Sequence, residues 1–211
     1  MILKDIRREF QKGALSKKSV DANPFKQFNV WISEAKDNKE IIDSTAFSVS
    51  TISKDNRPHS RMVLLKDVTE KGFIFFTNYD SKKGIDINQN PNASFLFYWD
   101  QLERQVRIEG KLEKIRDSDS DKYYQSRPYG SRIGAWASEQ SKELVSRAEL
   151  ELNIAKYIAK YPMNPPKPVN WGGYILIPDY FEFWQGRKSR IHDRIVYQLI
   201  EDNWKIVRLS P

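Results

Sequence analysis

Apolar residues recur along this chain in two periods, and the alternation between them lays out the elements. Asn23-Pro24 opens a helix, with Asn as the capping residue and Pro in the first turn. Phe25, Phe28, Ile32 and Ala35 follow at three- and four-residue steps, with Trp31 beside them, which gives a core-facing stripe. Ser146, with Glu149 three residues on, forms a capping box for a second amphipathic helix whose stripe is Leu150, Ile154, Tyr157, Ile158 and Tyr161. Shorter helices are predicted from Ser81 to Asn90 and over residues 117–125. Between these the period drops to two. Strands are predicted over residues 46–53, 59–68 and 93–99, the first two joined by a hairpin turn over 54–58. Residues 72–78 (GFIFFTN) are apolar throughout and read as a strand buried on both faces. Residues 104–114 place Val106, Ile108 and Leu112 on one face and Gln105, Arg107 and Glu109 on the other. Closing strands fall over 172–178, 180–185, 194–201 and 204–209, the last two joined by a tight turn at Asp202-Asn203. Roughly eight short strands with three or four peripheral helices predict a mainly β fold, a closed antiparallel barrel. The prolines between Asn164 and Pro168 are too few to separate domains, so residues 1–211 read as one domain. A narrow stripe of Ile2, Leu3, Ile6 and Phe10, then Gly13 and Lys17-Lys18, marks residues 1–20 as a mobile N-terminal arm.

Composition narrows the function classes. The formal charge of +7 favours anionic partners, nucleic acid or small phosphates alike. With no cysteine there is no disulfide framework, thiolate nucleophile or thiolate metal site. No His, Asp and Glu cluster has metal-ligand spacing, and no GxGxxG follows a first strand. No apolar run approaches the ~20 residues needed to span a bilayer, and the first residues begin no signal peptide. The expectation is a cytoplasmic protein without a membrane partner.

Candidate chemistry falls in four places. Residues 181–194 (FEFWQGRKSRIHDR) read as a strand, a turn at Gly186 and a second strand entered at Arg190. On a pleated backbone Arg190, His192 and Arg194 then share one face, close to Trp184. Guanidinium forks flanking an imidazole suit a planar anionic ligand, and neighbouring positive charge keeps the histidine neutral. The same spacing also suits a solvated basic face on an edge strand. In SRMVLLK, Arg61 and Lys66 are five apart, so they point to opposite faces unless a bulge intervenes. Ser81, capping a helix that begins Lys82-Lys83, offers a phosphate cradle or simply a capped surface helix. Tyr123, Arg127 and Ser131 are spaced by four, but Pro128 disfavours helical geometry at Arg127; a turn converging the three on one small anion and a plain arginine at an exposed helix end both fit. His59 reads as a surface residue at a strand end.

FWQGRKSRIHDR and the chain end WKIVRLSP, with RREF, SRMVLLK, LERQVRIEG, SRPYGSRIGAWASEQS and PPKPVNWGGY in order before them, resemble the pyridoxine (pyridoxamine) 5′-phosphate oxidase family over nearly the whole chain. The resemblance implies an FMN-binding split barrel, a homodimer with both sites at the subunit interface, and no nucleic-acid partner. It further implies oxidation of pyridoxamine 5′-phosphate and pyridoxine 5′-phosphate to pyridoxal 5′-phosphate with O₂. Carried over residue by residue, FMN falls to Arg61, Met62, Val63, Leu64, Leu65, Lys66, Phe76, Thr77, Lys82, Lys83, Gln105, Gln140, Ser141, Trp184 and Arg194. Substrate falls to Arg7, Lys66, Tyr123, Arg127, Ser131, Arg190 and His192, the last two as the catalytic pair. Phe10 stands where the family has a lid tyrosine. Two other readings are a flavin or pyridoxal-phosphate carrier without catalysis, and a basic aromatic barrel for nucleic acid. The basic residues sit in separate clusters rather than along one strand face, which counts against the last.

Overall fold

In the computed structural model, which describes residues 3–5 and 8–211, the described residues form nine strands and five α-helices. Helix α1 (Pro24–Asp37) precedes β1 (Ala46–Ile52), β2 (Pro58–Leu64), β3 (Asp67–Val68) and β4 (Phe73–Asn78). Helix α2 (Lys82–Gln89) leads to β5 (Asn92–Trp99) and β6 (Arg104–Lys114). Helices α3 (Asp117–Ser126), α4 (Tyr129–Ala137) and α5 (Arg147–Lys160) come next, then β7 (Trp171–Gln185), β8 (Asp193–Ile200) and β9 (Asn203–Leu209). All strand pairs are antiparallel.

Strand β7 organises the sheet. Its residues 174–185 pair with β6, its first part (171–176) with β4 and its second part (180–185) with β8. The strand path runs β2-β1-β5-β6-β7-β4-β3, with β8 and β9 branching from β7. The mainly β, antiparallel fold stands, but closure of the barrel is not seen: among the described residues no ladder joins β2 to β3. The two ends of the path are joined by the chain itself. Leu65 donates its amide to Thr45, beside β1, and Lys66 donates to Ile74 of β4, so the backbone changes partner within one step. The sheet curls round a core of aromatic rings. Phe47 stacks on Phe97 at 4.9 Å and meets Phe75 at 6.2 Å, while Phe75 meets Phe95 edge-on at 5.7 Å. Each such pair adds about 0.5–1.5 kcal/mol beyond its burial.

Helix α1 seals this core with Phe28, Trp31 and Ala35, and its Asn23 cap accepts from the Phe25 and Lys26 amides as the sequence requires. Helix α5 differs from expectation. Ser146 caps it, but none of its stripe is buried; the stripe only leans on α4, with Tyr157 5.5 Å from Trp136. Two further expectations change. The strand predicted over 59–68 divides into β2 and β3 at the crossing, and the turn expected after Pro128 is a new helix, α4.

Candidate active site

The crossing from β2 to β3 builds the first half of the site. On edge strand β2, His59, Arg61 and Val63 pair with Thr51, Val49 and Phe47 of β1. They therefore share the core-side face, while Met62 and Leu64 point outward and are exposed. Because β2 stops at Leu64, Lys66 is released from strand parity and joins Arg61 on the same cavity. That cavity, about 590 Å³, is also lined by Thr77, Lys83, Tyr123, Arg127 and Gln140.

Helix α2 supplies the most buried cation. The Ser81 hydroxyl accepts from the Gly84 amide, and a side chain at Gly84 would run into the Tyr79 carbonyl 2.0 Å away, so only glycine lets the helix start here. Lys83 is 7% exposed, and its ammonium donates to Thr77 Oγ1 (3.0 Å), Gln140 Oε1 (3.1 Å) and Ser81 Oγ (3.3 Å). All three are neutral acceptors, and among the described residues it has no carboxylate partner. Desolvation and the Arg61 charge push its pKa down to about 8. A buried cation without a counter-ion calls for an anionic ligand.

The opposite wall is aromatic. Phe76 stacks on Tyr123 at 3.9 Å and on Trp171 at 5.5 Å, and the Arg127 guanidinium lies 4.7 Å from the Trp171 ring. Arg127 Nη1 is buried with no hydrogen-bond partner among the described residues, and desolvation lowers the Arg127 pKa. An orphaned donor of this kind costs about 1–3 kcal/mol until something accepts from it. One cavity is thus lined by Arg61 and Lys83 and by Arg127, the last lying over the Trp171 ring of the stacked aromatic wall.

A second cluster lies elsewhere on the chain. Trp184 of β7 and His192 pack ring to ring at 4.7 Å, and Phe10 closes edge-on over both, at 5.6 and 5.5 Å. The Phe10 ring is accommodated because residue 186 is glycine; a Cβ there would come within 2.7 Å of it. Carboxylates fasten the arm that carries Phe10. Buried Glu103 accepts from the Gln11 and Lys12 amides, Glu9 from the Ser189 amide, and Asp193 from the Leu15 amide. His192 Nδ1 accepts from the Arg187 amide, so the proton of the neutral ring sits on Nε2. Burial first, and then the Arg190 charge, lower its pKa.

The expected arginine face is corrected here. Arg190 lies in a 3-10 turn, not in a strand; Ser189 and Arg190 have φ of 57° and 61°, and β8 starts only at Asp193. Arg190 therefore does not share pleat parity with His192 and Arg194. Arg194 is engaged within the chain, donating to buried Glu182 at 2.8 and 3.0 Å and to the Ser210 carbonyl. Glu182 also holds Arg107 at 2.7 Å. Gln105 pairs with Tyr98 on one side and Trp184 on the other, on the outward face of the sheet.

Of the residues singled out in the sequence, the cavity gathers Arg61, Met62, Val63, Leu64, Lys66, Phe76, Thr77, Lys83, Tyr123, Arg127, Ser131 and Gln140. Leu65 is in the core, Lys82 is exposed beside its buried neighbour, and Ser141 lies past the cavity in a left-handed turn. Gln105, Trp184, Arg190, His192 and Arg194 line none of this cavity. Arg7 lies outside the described residues. The sequence reading missed Asn78, Trp171, Gly134, Ala135 and Ser138. A signal for the last three existed: with Ser131 they fall at i, i+3, i+4 and i+7, one face of α4. His59 is also corrected, from a surface residue to a half-buried partner of Asp86 at 2.9 Å.

Fold and site together define a class: a curled β-sheet protein with a cationic, ring-walled cavity suited to phosphorylated aromatic compounds. A family model described as pyridoxamine 5′-phosphate oxidase matches residues 34–161, and one described as the pyridoxine 5′-phosphate oxidase C-terminal dimerisation region matches residues 171–211. The chain belongs to the pyridoxamine 5′-phosphate oxidase family. It is 53% identical over 210 residues to a pyridoxine/pyridoxamine 5′-phosphate oxidase of Cupriavidus pinatubonensis, covering 99% of both chains. A protein of the same name from Paraburkholderia phymatum is 52% identical, again over 99% of both. Among solved structures, PhzG of Burkholderia lata, in complex with tetrahydrophenazine-1-carboxylic acid, superposes with a TM-score of 0.88 at 28% identity, over 94% of this chain and 98% of that one. A pyridoxamine 5′-phosphate oxidase-related, FMN-binding protein of Nostoc punctiforme shares the fold, with a TM-score of 0.71 at 18% identity over 91% and 100% of the two chains.

Proposed function

We propose that the chain is a flavin-dependent oxidase that converts pyridoxamine 5′-phosphate and pyridoxine 5′-phosphate to pyridoxal 5′-phosphate, with O₂ as electron acceptor. The observation that carries the reading is a pair of cationic positions in one ring-walled cavity: Lys83, without a carboxylate partner among the described residues, beside Arg61, and Arg127, whose Nη1 has no acceptor among them. Two phosphorylated ring compounds, a cofactor and a substrate, satisfy both. On this reading Arg61, Thr77, Lys83 and Gln140 hold the phosphate of FMN, and Lys66, Tyr123, Arg127 and Ser131 hold that of the substrate. FMN held there would supply the two-electron redox chemistry between the substrate carbon and O₂.

The chain's own residues bind, orient and exclude water. Charge-assisted bonds from Arg127 and Lys66 fix one end of the substrate. Arg190 and His192 are assigned to its ring, and neutral His192 offers an Nε2 proton donor. Trp184, Gln105 and Arg194 are assigned to the flavin. Phe10, docked over Trp184 and His192, keeps water from that surface.

These last residues do not line the phosphate cavity of their own chain, and a homodimer accounts for that. Trp184, Arg190, His192 and Arg194 lie in the segment that matches a dimerisation region, and the sheet face outside it exposes Met62, Leu64 and Tyr98 at 65%, 41% and 53%. A second copy covering this face brings its Trp184–Arg194 cluster to the phosphate cavity, so each site takes residues from two chains. The test is turnover. Purified protein with FMN, given pyridoxine 5′-phosphate in air, should form pyridoxal 5′-phosphate with one H₂O₂ per O₂ consumed. Flavin binding without aldehyde formation would mark a carrier and overturn the reading.

A further inference from the structure

We infer that Asp86 is a positioning residue for Arg61, acting through the Thr51 hydroxyl, and that this buried contact sets how well the cavity grips a phosphate ester. The inference rests on the reading of the Arg61 end as the FMN phosphate site. Asp86 sits on α2, 3% exposed, and is not part of the cavity wall. Its Oδ2 accepts from Thr51 Oγ1 at 2.8 Å and lies 2.9 Å from His59 Nδ1 and 3.7 Å from Arg61 Nη2. Burial works against its charge, but the hydrogen bonds from His59 and Thr51 and the charges of His59 and Arg61 hold its pKa below the usual aspartate range. An ionised carboxylate only accepts. The single Thr51 proton must therefore point at Asp86, which leaves a Thr51 lone pair to accept from Arg61 Nη1 at 2.8 Å. The Val49 carbonyl takes the same nitrogen at 3.3 Å. One edge of the guanidinium is thus fixed to fully buried Thr51, and the rest of the fork is left for a ligand.

Two consequences of Asp86 oppose each other, and this makes the role testable. As a bare counter-charge, Asp86 would weaken the pull of Arg61 on an anion, so removing the charge would tighten FMN. As a positioning residue it orients Thr51 and through it Arg61, so removing it loosens FMN. The geometry favours the second, because Asp86 makes hydrogen bonds to Thr51 and His59, whereas its distance to Arg61 exceeds a hydrogen bond.

The experiment titrates apoprotein with FMN and with riboflavin, which lacks the phosphate, following flavin fluorescence. Asp86→Asn and Thr51→Val should each weaken FMN about ten- to hundredfold, the range for a hydrogen bond to a charged group. Riboflavin should bind as to wild type, and the double variant should lose no more than one single, since both act through one contact. Should Asp86→Asn fail to fold by circular dichroism, Thr51→Val alone decides. Tighter FMN in Asp86→Asn, or a wild-type ratio of FMN to riboflavin affinity in Thr51→Val, overturns the inference. Arg61→Ala is the control for the underlying reading. If Arg61→Ala lowers that ratio while the other two do not, only the positioning role falls; if it does not, the phosphate-site reading falls and takes the inference with it.

Discussion

Arg127→Met separates what a buried cation does for a ligand from what it does for the fold. In the ligand-bound protein Arg127 should donate to the substrate's phosphate, and a hydrogen bond to a charged group contributes about 1.5–3 kcal/mol. Losing it should weaken pyridoxal 5′-phosphate roughly 10- to 150-fold. In the ligand-free protein the balance differs. Removing the guanidinium abolishes the orphaned Nη1, a relief of about 1–3 kcal/mol. It also forfeits the contact with Trp171 at 4.7 Å, about 0.5–2 kcal/mol. The two nearly cancel, and a residual of about 1 kcal/mol moves the melting temperature by only about 2–4 °C in a chain this long. Fluorescence titration with FMN and with pyridoxal 5′-phosphate, beside a thermal melt, reads all three quantities. The expected pattern is a large loss for pyridoxal phosphate, none for FMN, and a near-unchanged melt. Equal losses for both ligands would show that the two anion positions are wrongly divided.

Four further outcomes are expected. Because Lys83 titrates at about 8, the phosphate-dependent part of FMN affinity should fall as pH rises through that value; meanwhile the apoprotein gains stability between about pH 8 and 10.5, where the unfolded lysine still holds its proton, a total of about 3 kcal/mol measurable by denaturant melts. Glu182→Gln leaves Arg107 and Arg194 without their buried partner and should cost about 3–5 kcal/mol by urea melt at neutral pH. Burial opposes the Glu182 charge, but its two arginines hold its pKa low, so the wild-type contribution is complete above the ordinary glutamate value and lost below it; the variant should show a flatter acid limb. Phe10→Tyr adds a hydroxyl beside His192 and should tighten substrate by about 0.5–1.5 kcal/mol if that hydroxyl finds an acceptor; an unchanged apparent affinity would show that the arm closes by apolar contact alone. Arg190→Ala should slow flavin reduction about 10²–10³-fold at saturating substrate, with Arg190→Lys recovering little, and a wild-type rate in stopped flow would reduce Arg190 to a binding residue.

Where periodicity and pairing agree, the chain was legible. The core positions of β6, Val106, Ile108 and Leu112, follow from alternation alone, and the caps at Asn23, Ser81 and Ser146 stand where the sequence puts them. What escaped was set by long-range partners. Whether Arg61 and Lys66 meet depends on β2 ending at Leu64, and that depends on β1 and β4 competing for the next two amides. Arg190 looked like a strand residue because every second position was polar; a left-handed turn at Ser189 and Arg190, pinned by Glu9 from the distant arm, broke the alternation. Helix α5 has a sound apolar stripe yet buries none of it, since a stripe records only that a face is apolar, not what covers it. His59 joined a buried network because Asp86, 27 residues later, folds back on it.

The central claim is that this cavity brings a pyridoxine-type phosphate ester to a bound flavin and oxidises it. It is tested most directly by adding pyridoxamine 5′-phosphate, without oxygen, to the protein loaded with FMN and recording the flavin spectrum. The account predicts that the oxidised flavin band bleaches, with one pyridoxal 5′-phosphate formed per flavin, and returns when air is admitted. A protein that binds FMN and pyridoxamine 5′-phosphate together, yet leaves the flavin oxidised, would contradict it.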